Sequence, residues 1–290
     1  MKIATRCVGC DSARLQGRPA VLMPFLANRI FGWTPTLITS DWGLRDAPTG
    51  LAYPICRTLM CDACGMLFLD MRFDAEEMAA LYEDYRGEAY TATRELFEPG
   101  YAARNALYLA GVGYAPRIEA FLEAHLPRAP RVLDWGGDTG VNTPFRGRAQ
   151  RHDIYDISNR PLVQGARKVD LEQASSGDYD LLVFSNVLEH VSYPRDTLAD
   201  VVEIMGGETV LYLEVPFEDI VRLESDPLAR LAGKRHWHEH INFFTPDALD
   251  ALLAGAGLQE LSRVTMPMSA GGKDSVVVSI AARLTGKPDR

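Results

Sequence analysis

The chain has 290 residues, 47% of them hydrophobic and 24% charged, the balance of an ordinary globular protein long enough to bury most of its apolar surface without disulfide staples. Lys and Arg number 30 against 39 Asp and Glu, and no basic run stands out, which argues against a nucleic-acid partner, whose phosphates need neutralising. No run reaches the roughly 18 apolar residues of a membrane span, and the start, MKIATRCVGC, lacks the apolar stretch of a secretory signal, so a cytoplasmic protein without a membrane span is expected.

All five cysteines fall early, and four form two pairs of the same spacing, Cys7-x-x-Cys10 and Cys61-x-x-Cys64. Two residues between thiolates let a tight turn present both sulfurs to one ion, and Gly65 suits the positive φ that such a turn needs. Two such knuckles make a four-thiolate zinc site of the structural kind. Disulfides, a redox pair and unrelated thiols are the alternatives. The first conflicts with the absence of a signal, and the second with the lack of a βαβ context. Cys56 reads as a packed thiol.

Asp74 is placed as the N-cap of a helix whose first turn is acidic. An aromatic-rich segment with Tyr82, Tyr85, Tyr90, Phe97 and Tyr101 follows, and a helical pattern continues towards Pro127. The tyrosines suit packing with the hydroxyl at the surface. The other reading is that Tyr85 or Tyr90 lines a substrate pocket.

From Arg131 strands and helices alternate. Residues 131–135 are a short apolar strand carrying Asp134, followed at once by Gly136, Gly137, Asp138, Thr139 and Gly140. Thr143 and Pro144 look like the cap and first residue of a helix. Strand, glycine turn and helix start form the first unit of a doubly wound α/β sheet. A dinucleotide fingerprint needs glycine where Asp138 and Val141 stand, and the Asp138 carboxylate would repel a pyrophosphate. S-adenosylmethionine carries a sulfonium and an ammonium instead. Asp134 suits its ammonium, while Gly136, Gly137 and Gly140 let the backbone approach. The next strand ends at Asp156, about 20 residues past Asp134, where an acid accepts ribose hydroxyls. Asp170, at a weaker third tip, suits either the adenine amino group or plain solvation.

The segments VLDWGGDTG, YDIS and DYDLLVFSNVLEHV together resemble the class I S-adenosylmethionine-dependent methyltransferases over roughly residues 115–285. The resemblance implies that Asn186 and Leu188 pass close to the cofactor. Asp138 departs from it, standing where that family more often has a glycine. The later elements follow the same order: a helix at 198–205, a strand at 209–215 ending at Pro216, a helix at 246–258, and a strand at 276–281 of the kind that inserts antiparallel. The expected fold is therefore α/β, a Rossmann-like methyltransferase sheet with a late antiparallel strand plus a small N-terminal zinc-binding module. The corresponding parts are residues 1–72, a helical linker or substrate cap at 73–125, and the catalytic domain at 126–290.

Three histidines fall at His236, His238 and His240, in KRHWHEH. An extended segment puts all three on one face with Glu239 opposite, whereas a helix aligns only His236 and His240. Metal binding, a structural role and catalysis are all open to them. Catalysis is favoured because methyl transfer to a hydroxyl needs a base near neutral pH. The paired cysteines, Cys64-Gly65 with Phe68, and the His-Glu-His segment resemble bacterial deoxysugar C-methyltransferases and related saccharide methyltransferases. In their Tyr-His-Glu-His motif the second histidine is the proposed base. That match implies His240 as base, with Glu239 and His238 holding the sugar or orienting the base. Trp237 departs from the motif's tyrosine, and the further C-terminal domain of those enzymes is not seen. A small polar acceptor is expected, a sugar or sugar-nucleotide hydroxyl ahead of a sugar carbon. The competing readings are a non-catalytic zinc- and S-adenosylmethionine-binding interaction protein and a metal-dependent hydrolase built on the histidines.

Overall fold

The computed structural model describes residues 1–46, 49–111, 113–270 and 273–286. The N-terminal part contributes strand β1 (Leu15–Leu22), helix α1 (Pro24–Phe31), and strands β2 (Ile55–Cys61) and β3 (Leu67–Leu69). Helix α1 opens on Pro24 and stops at Gly32, whose φ of 65° carries the chain out of the last turn. Helices α2 (Ala75–Tyr82), α3 (Glu88–Phe97), α4 (Tyr101–Leu109) and α5 (Ala115–Leu122) follow. Asp74 caps α2 as the sequence indicates, in a reciprocal box with Glu77.

The remainder runs β4 (Arg131–Trp135), β5 (Arg151–Tyr155), β6 (Arg167–Lys168), α6 (Leu171–Ser175), β7 (Leu181–Ser185), α7 (Pro194–Ile204) and β8 (Val210–Pro216). Then come α8 (Asp219–Arg222), α9 (Pro227–Gly233), β9 (His236–Trp237), β10 (Asn242–Phe243), α10 (Pro246–Gly255), β11 (Leu258–Ala270) and β12 (Lys273–Leu284). Seven strands form one sheet in the order β6-β5-β4-β7-β8-β12-β11. The first five are parallel, and β12 is antiparallel to both its neighbours. This is the predicted doubly wound sheet with its late antiparallel strand. Strand order reverses beside β4, so a ligand crevice is expected at the carboxyl ends of β4 and β7.

The strands read as apolar runs because both faces are covered. Leu133, Leu182, Phe184, Leu211 and Leu213 point to one side, and Val132, Leu181, Val183, Val210 and Tyr212 to the other. The first side is continuous with Cys7, Cys61, Cys64, Met66 and Phe68, so the cysteine knuckles pack directly on the sheet layer. A separate five-stranded sheet has the order β9-β1-β2-β3-β10. Its two edges come from the histidine region, β9 parallel to β1 and β10 antiparallel to β3. The N-terminal sheet is thus completed by residues 236–243, and residues 238–241 bridge from one edge to the other.

Two expected elements differ. No helix follows the glycine turn; residues 141–150 form turns, with Phe145 at a φ of 63° and Thr143 bonded back to Asp134. The third strand ends at Lys168, and Asp170 begins α6 as its N-cap, its side chain accepting from the Gln173 amide.

Arg72 ties the two halves together. It is 1% exposed and donates to the carbonyls of Leu69, Ser192 and Ile241 and to Oδ1 of Asn242. Burial pulls its guanidinium down to about 9. Arg72→Met leaves these acceptors buried and unpaired, at about 1–3 kcal/mol each for those that cannot reach water. A loss of roughly 3 kcal/mol is expected, read as a lower urea midpoint at unchanged slope.

Candidate active site

At the tip of β4, Asp134 is 5% exposed and accepts the Thr143 hydroxyl at 2.5 Å. Burial pushes its carboxyl up to about 7, and Asp156 adds to the push. A Cβ on Gly137 would lie 2.6 Å from the Asp134 carboxyl carbon, so glycine there keeps the acid approachable. Gly136 has a φ of 84°, and a side chain would strike Val187. Gly140, at a φ of 77°, is bare for the same reason, and its neighbours are the His152 ring and Ile154. At the tip of β5, Asp156 accepts the amides of Asp138 at 2.7 Å and Ser158 at 2.6 Å, binding the glycine turn to the next loop. Asp170 is exposed and caps α6, one carboxylate oxygen accepting the Gln173 amide.

At the end of β7, Asn186 has a φ of 54°, and its side-chain amide donates to Ser185 and Glu214. Leu188 is 1% exposed within the core. Both residues follow directly on the end of β7, where the resemblance implied that they pass the cofactor, with the Asn186 side chain engaged and Leu188 packed inward. The partner of Asn186 is Glu214 on β8, fully buried and accepting from Tyr114, Ser185, Asn186, Tyr212 and Ser279.

The three clustered histidines do not converge. His236 is exposed on β9. His238 is a strut: Nδ1 accepts the Glu239 amide at 2.8 Å, Nε2–H meets Glu98 at the end of α3, and the ring stacks on Phe25. Glu239 is buried between Arg94 Nη1 at 2.5 Å and the Tyr90 hydroxyl. Burial works against its charge, but Arg94 and His238 outweigh it and hold the carboxyl down at about 2. Tyr90 is fully enclosed and cannot line a pocket; Tyr85, half-buried, lies edge-on to Tyr90 and Tyr82. His240 differs from the other two histidines. Its side chain is 39% exposed, and Nδ1 lies 2.7 Å from Glu218, which follows the end of β8. Burial disfavours its charge, yet Glu218 and Glu189 raise it above the ordinary histidine value.

His240 packs edge-on against His190, ring centres 4.8 Å apart, with Glu189 beside them. Glu189 is pushed up to about 7 and His190 down to about 3, both chiefly by burial. Sequence reasoning passed over Glu189, His190, Glu214 and Glu218. The first two stood in the Leu-Glu-His-Val segment, and the last two bracket Pro216 at a strand tip.

The thiols of Cys7, Cys10, Cys61 and Cys64 do converge, all within 4.8 Å. Cys7 and Cys64 are 3.7 Å apart and Cys10 and Cys61 3.5 Å, near the ~3.8 Å edge of a tetrahedron with ~2.3 Å metal–sulfur bonds. The Gly9 and Ala63 amides point at the Cys7 and Cys61 sulfurs, each at 3.4 Å. Cys56 is buried away from them, its thiol pushed up to about 12 by burial.

Acids thus stand at the first two strand tips of a doubly wound sheet, and the His240–Glu218 pair lies beyond the end of β8. Residues 108–262 match the family model described as a methyltransferase domain, and the chain belongs to that family. No curated protein matches it. Among solved structures, the chain is similar to a 1,6-didemethyltoxoflavin-N1-methyltransferase of Burkholderia thailandensis with 1,6-didemethyltoxoflavin and S-adenosylhomocysteine bound. That likeness has 19% identity, covers 76% of this chain and 95% of the other, and has a TM-score of 0.48. It is also similar to the N-methyltransferase NodS of Bradyrhizobium japonicum in complex with S-adenosylhomocysteine, at 16% identity, covering 65% and 90%, TM-score 0.39.

Proposed function

We propose that the chain transfers a methyl group from S-adenosylmethionine to a small polar acceptor, a sugar or sugar-nucleotide hydroxyl, with His240 taking the hydroxyl proton. The single observation that carries this is the His240–Glu218 pair. An ionised carboxylate fixes the Nδ1 proton and leaves Nε2 as a lone-pair base on a half-exposed side chain at the strand tips. Glu239 and His238 are assigned to positioning, since both are fully engaged, and Tyr85 is left as the tyrosine able to meet substrate. S-adenosylmethionine supplies an electrophilic methyl on a sulfonium. Asp134 fits its ammonium: a buried acid with one hydroxyl donor still lacks a cation. Gly136 and Gly137 hold the backbone bare beside it, and Asp156 retains acceptor capacity for a ribose. The four cysteines hold structural zinc in this reading.

Calorimetric titration with S-adenosylmethionine and S-adenosylhomocysteine, followed by mass spectrometry of nucleotide sugars incubated with the protein, tests the proposal. No binding of either compound at millimolar concentration overturns it. Asp134 gives a second test. Its folded-state value near 7 lies above the ordinary 3.8, so between those limits the folded protein holds a proton that the unfolded chain has released. Stability therefore falls as pH rises from about 5 to 7, by about 1.4 kcal/mol per pH unit for one such proton. Asp134→Asn is expected to flatten that slope in urea titrations and to weaken S-adenosylmethionine binding.

A further inference from the structure

Glu189 presents an unsolved charge problem. It is 1% exposed, and neither carboxyl oxygen has a hydrogen-bond partner. Its one ion-pair neighbour among the described residues is His190, Nε2 to Oε1 at 3.8 Å. Leaving such a group ionised and unpaired is strongly unfavourable. Nearby Glu214 and Glu239 show the contrast, one saturated by hydroxyls and an amide, the other paired with arginine.

The histidines beside it are oriented in one particular way. Nδ1 of His190 is 3.1 Å from the Glu239 carbonyl oxygen. The Tyr82 hydroxyl lies at the same distance from Nδ1; a carbonyl only accepts, so the tautomer that bonds it carries the proton on Nδ1 and the lone pair on Nε2. Nδ1 of His240 likewise donates to Glu218 at 2.7 Å. Each ring is thus held by an oxygen at Nδ1 with Nε2 free, the outer arrangement found around metal-bound histidines. One ligand atom from each of Glu189, His190 and His240 lies within 4.8 Å of the others. Bonds of about 2.0–2.2 Å span edges of at most about 3.6 Å, so a 4.8 Å triangle closes when each ligand atom moves inward by about 0.7 Å. The side chains of His190 and His240 are 21% and 39% exposed, so an ion can enter.

We propose that Glu189, His190 and His240 form a second metal site, for a divalent transition ion that accepts mixed imidazole and carboxylate ligands. Mn²⁺, Fe²⁺, Co²⁺ and Zn²⁺ belong to this class, and Mg²⁺ and Ca²⁺, which prefer oxygen alone, do not. Three protein ligands leave positions open for water or an acceptor oxygen. One nitrogen cannot both ligate and take a proton. In the loaded protein, activation therefore passes from His240 to the ion: the acceptor O–H bond breaks, an oxygen–metal bond forms, and the proton goes to solvent. This consequence rests on the methyltransferase reading, whereas ion binding does not.

Mn²⁺ is the probe, because it disfavours thiolates and leaves the cysteine cluster aside. Titration of the full chain, followed by the resonance of free Mn²⁺, is expected to show one ion bound per chain. Glu189→Gln and His190→Gln should each weaken binding at least tenfold, and Glu218→Gln, which only orients a ligand, by about tenfold. The zinc content and circular dichroism of each variant serve as the check on folding. Absence of Mn²⁺ binding by the wild-type chain, or undiminished binding by a folded Glu189→Gln, overturns the site and leaves His240 as the base. Ion binding without any affinity for S-adenosylmethionine overturns the methyltransferase reading alone.

Discussion

Serine at both Cys61 and Cys64 is expected to leave the chain without zinc and largely unfolded at 37 °C. The sulfurs of this cluster are not on an appendage. Cys7, Cys61 and Cys64 are at most 4% exposed and share one core with Phe68, Trp135, Phe184 and Phe244, the layer that covers the large sheet. Structural zinc contributes about 10–16 kcal/mol in small domains near neutral pH, and the net stability of a domain is only about 5–15 kcal/mol. The first range is large enough to consume the second. Two hydroxyls left in an apolar core add their own desolvation cost. Metal analysis and near-ultraviolet circular dichroism are the measurements. Cys56→Ser is the comparison, because that thiol is equally buried but outside the cluster. It should keep the metal and cost about 1–2 kcal/mol. A double-serine protein melting within a few degrees of the wild type would show that the thiols are packing groups and nothing more.

The large sheet was legible because its strands are buried on both faces, so residues 131–135, 181–185 and 210–216 read as apolar runs whichever face is considered. The cysteine cluster was legible because two residues of spacing suffice to place both sulfurs of each knuckle. The histidine segment was legible only as a composition. Its conformation stayed open between extended and helical, and the partners that differentiate its members lie far away along the chain. Glu98 reaches His238 across 140 residues and Tyr90 reaches Glu239 across 149. No periodicity carries such information. Glu189 was hidden differently, in a family signature where attention fell on the flanking Asn186 and Leu188. The structure turns the Asn186 amide to Glu214 and buries Leu188, and leaves Glu189 facing the histidines. The missing helix after the glycine turn reflects local chemistry again: Thr143 looked like a cap, but its hydroxyl bonds to Asp134 instead.

His240→Ala is expected to lower turnover by about 10²–10⁴-fold while leaving the affinity for S-adenosylmethionine within about twofold. The structure supplies the reason for the split. His240 contacts Glu218, His190 and the Glu189 region, whereas the acids assigned to the donor, Asp134 and Asp156, sit at other strand tips with other partners. The neighbouring residues make this more than a test of one side chain. Glu239→Gln removes the charge that pairs with Arg94, in a site where both are largely buried. Breaking one partner of a buried pair costs about 3–5 kcal/mol, so this variant should fail mainly by unfolding. His238→Gln loses the Glu98 contact and the stacking on Phe25 and should lower stability more than rate. Denaturant midpoints measured alongside single-turnover rates separate the three. The expected pattern is a stable, slow His240→Ala, an unstable Glu239→Gln, and a weakened but competent His238→Gln. If His240→Ala turns over a confirmed acceptor at the wild-type rate, His240 has no part in proton transfer, either as base or as ligand.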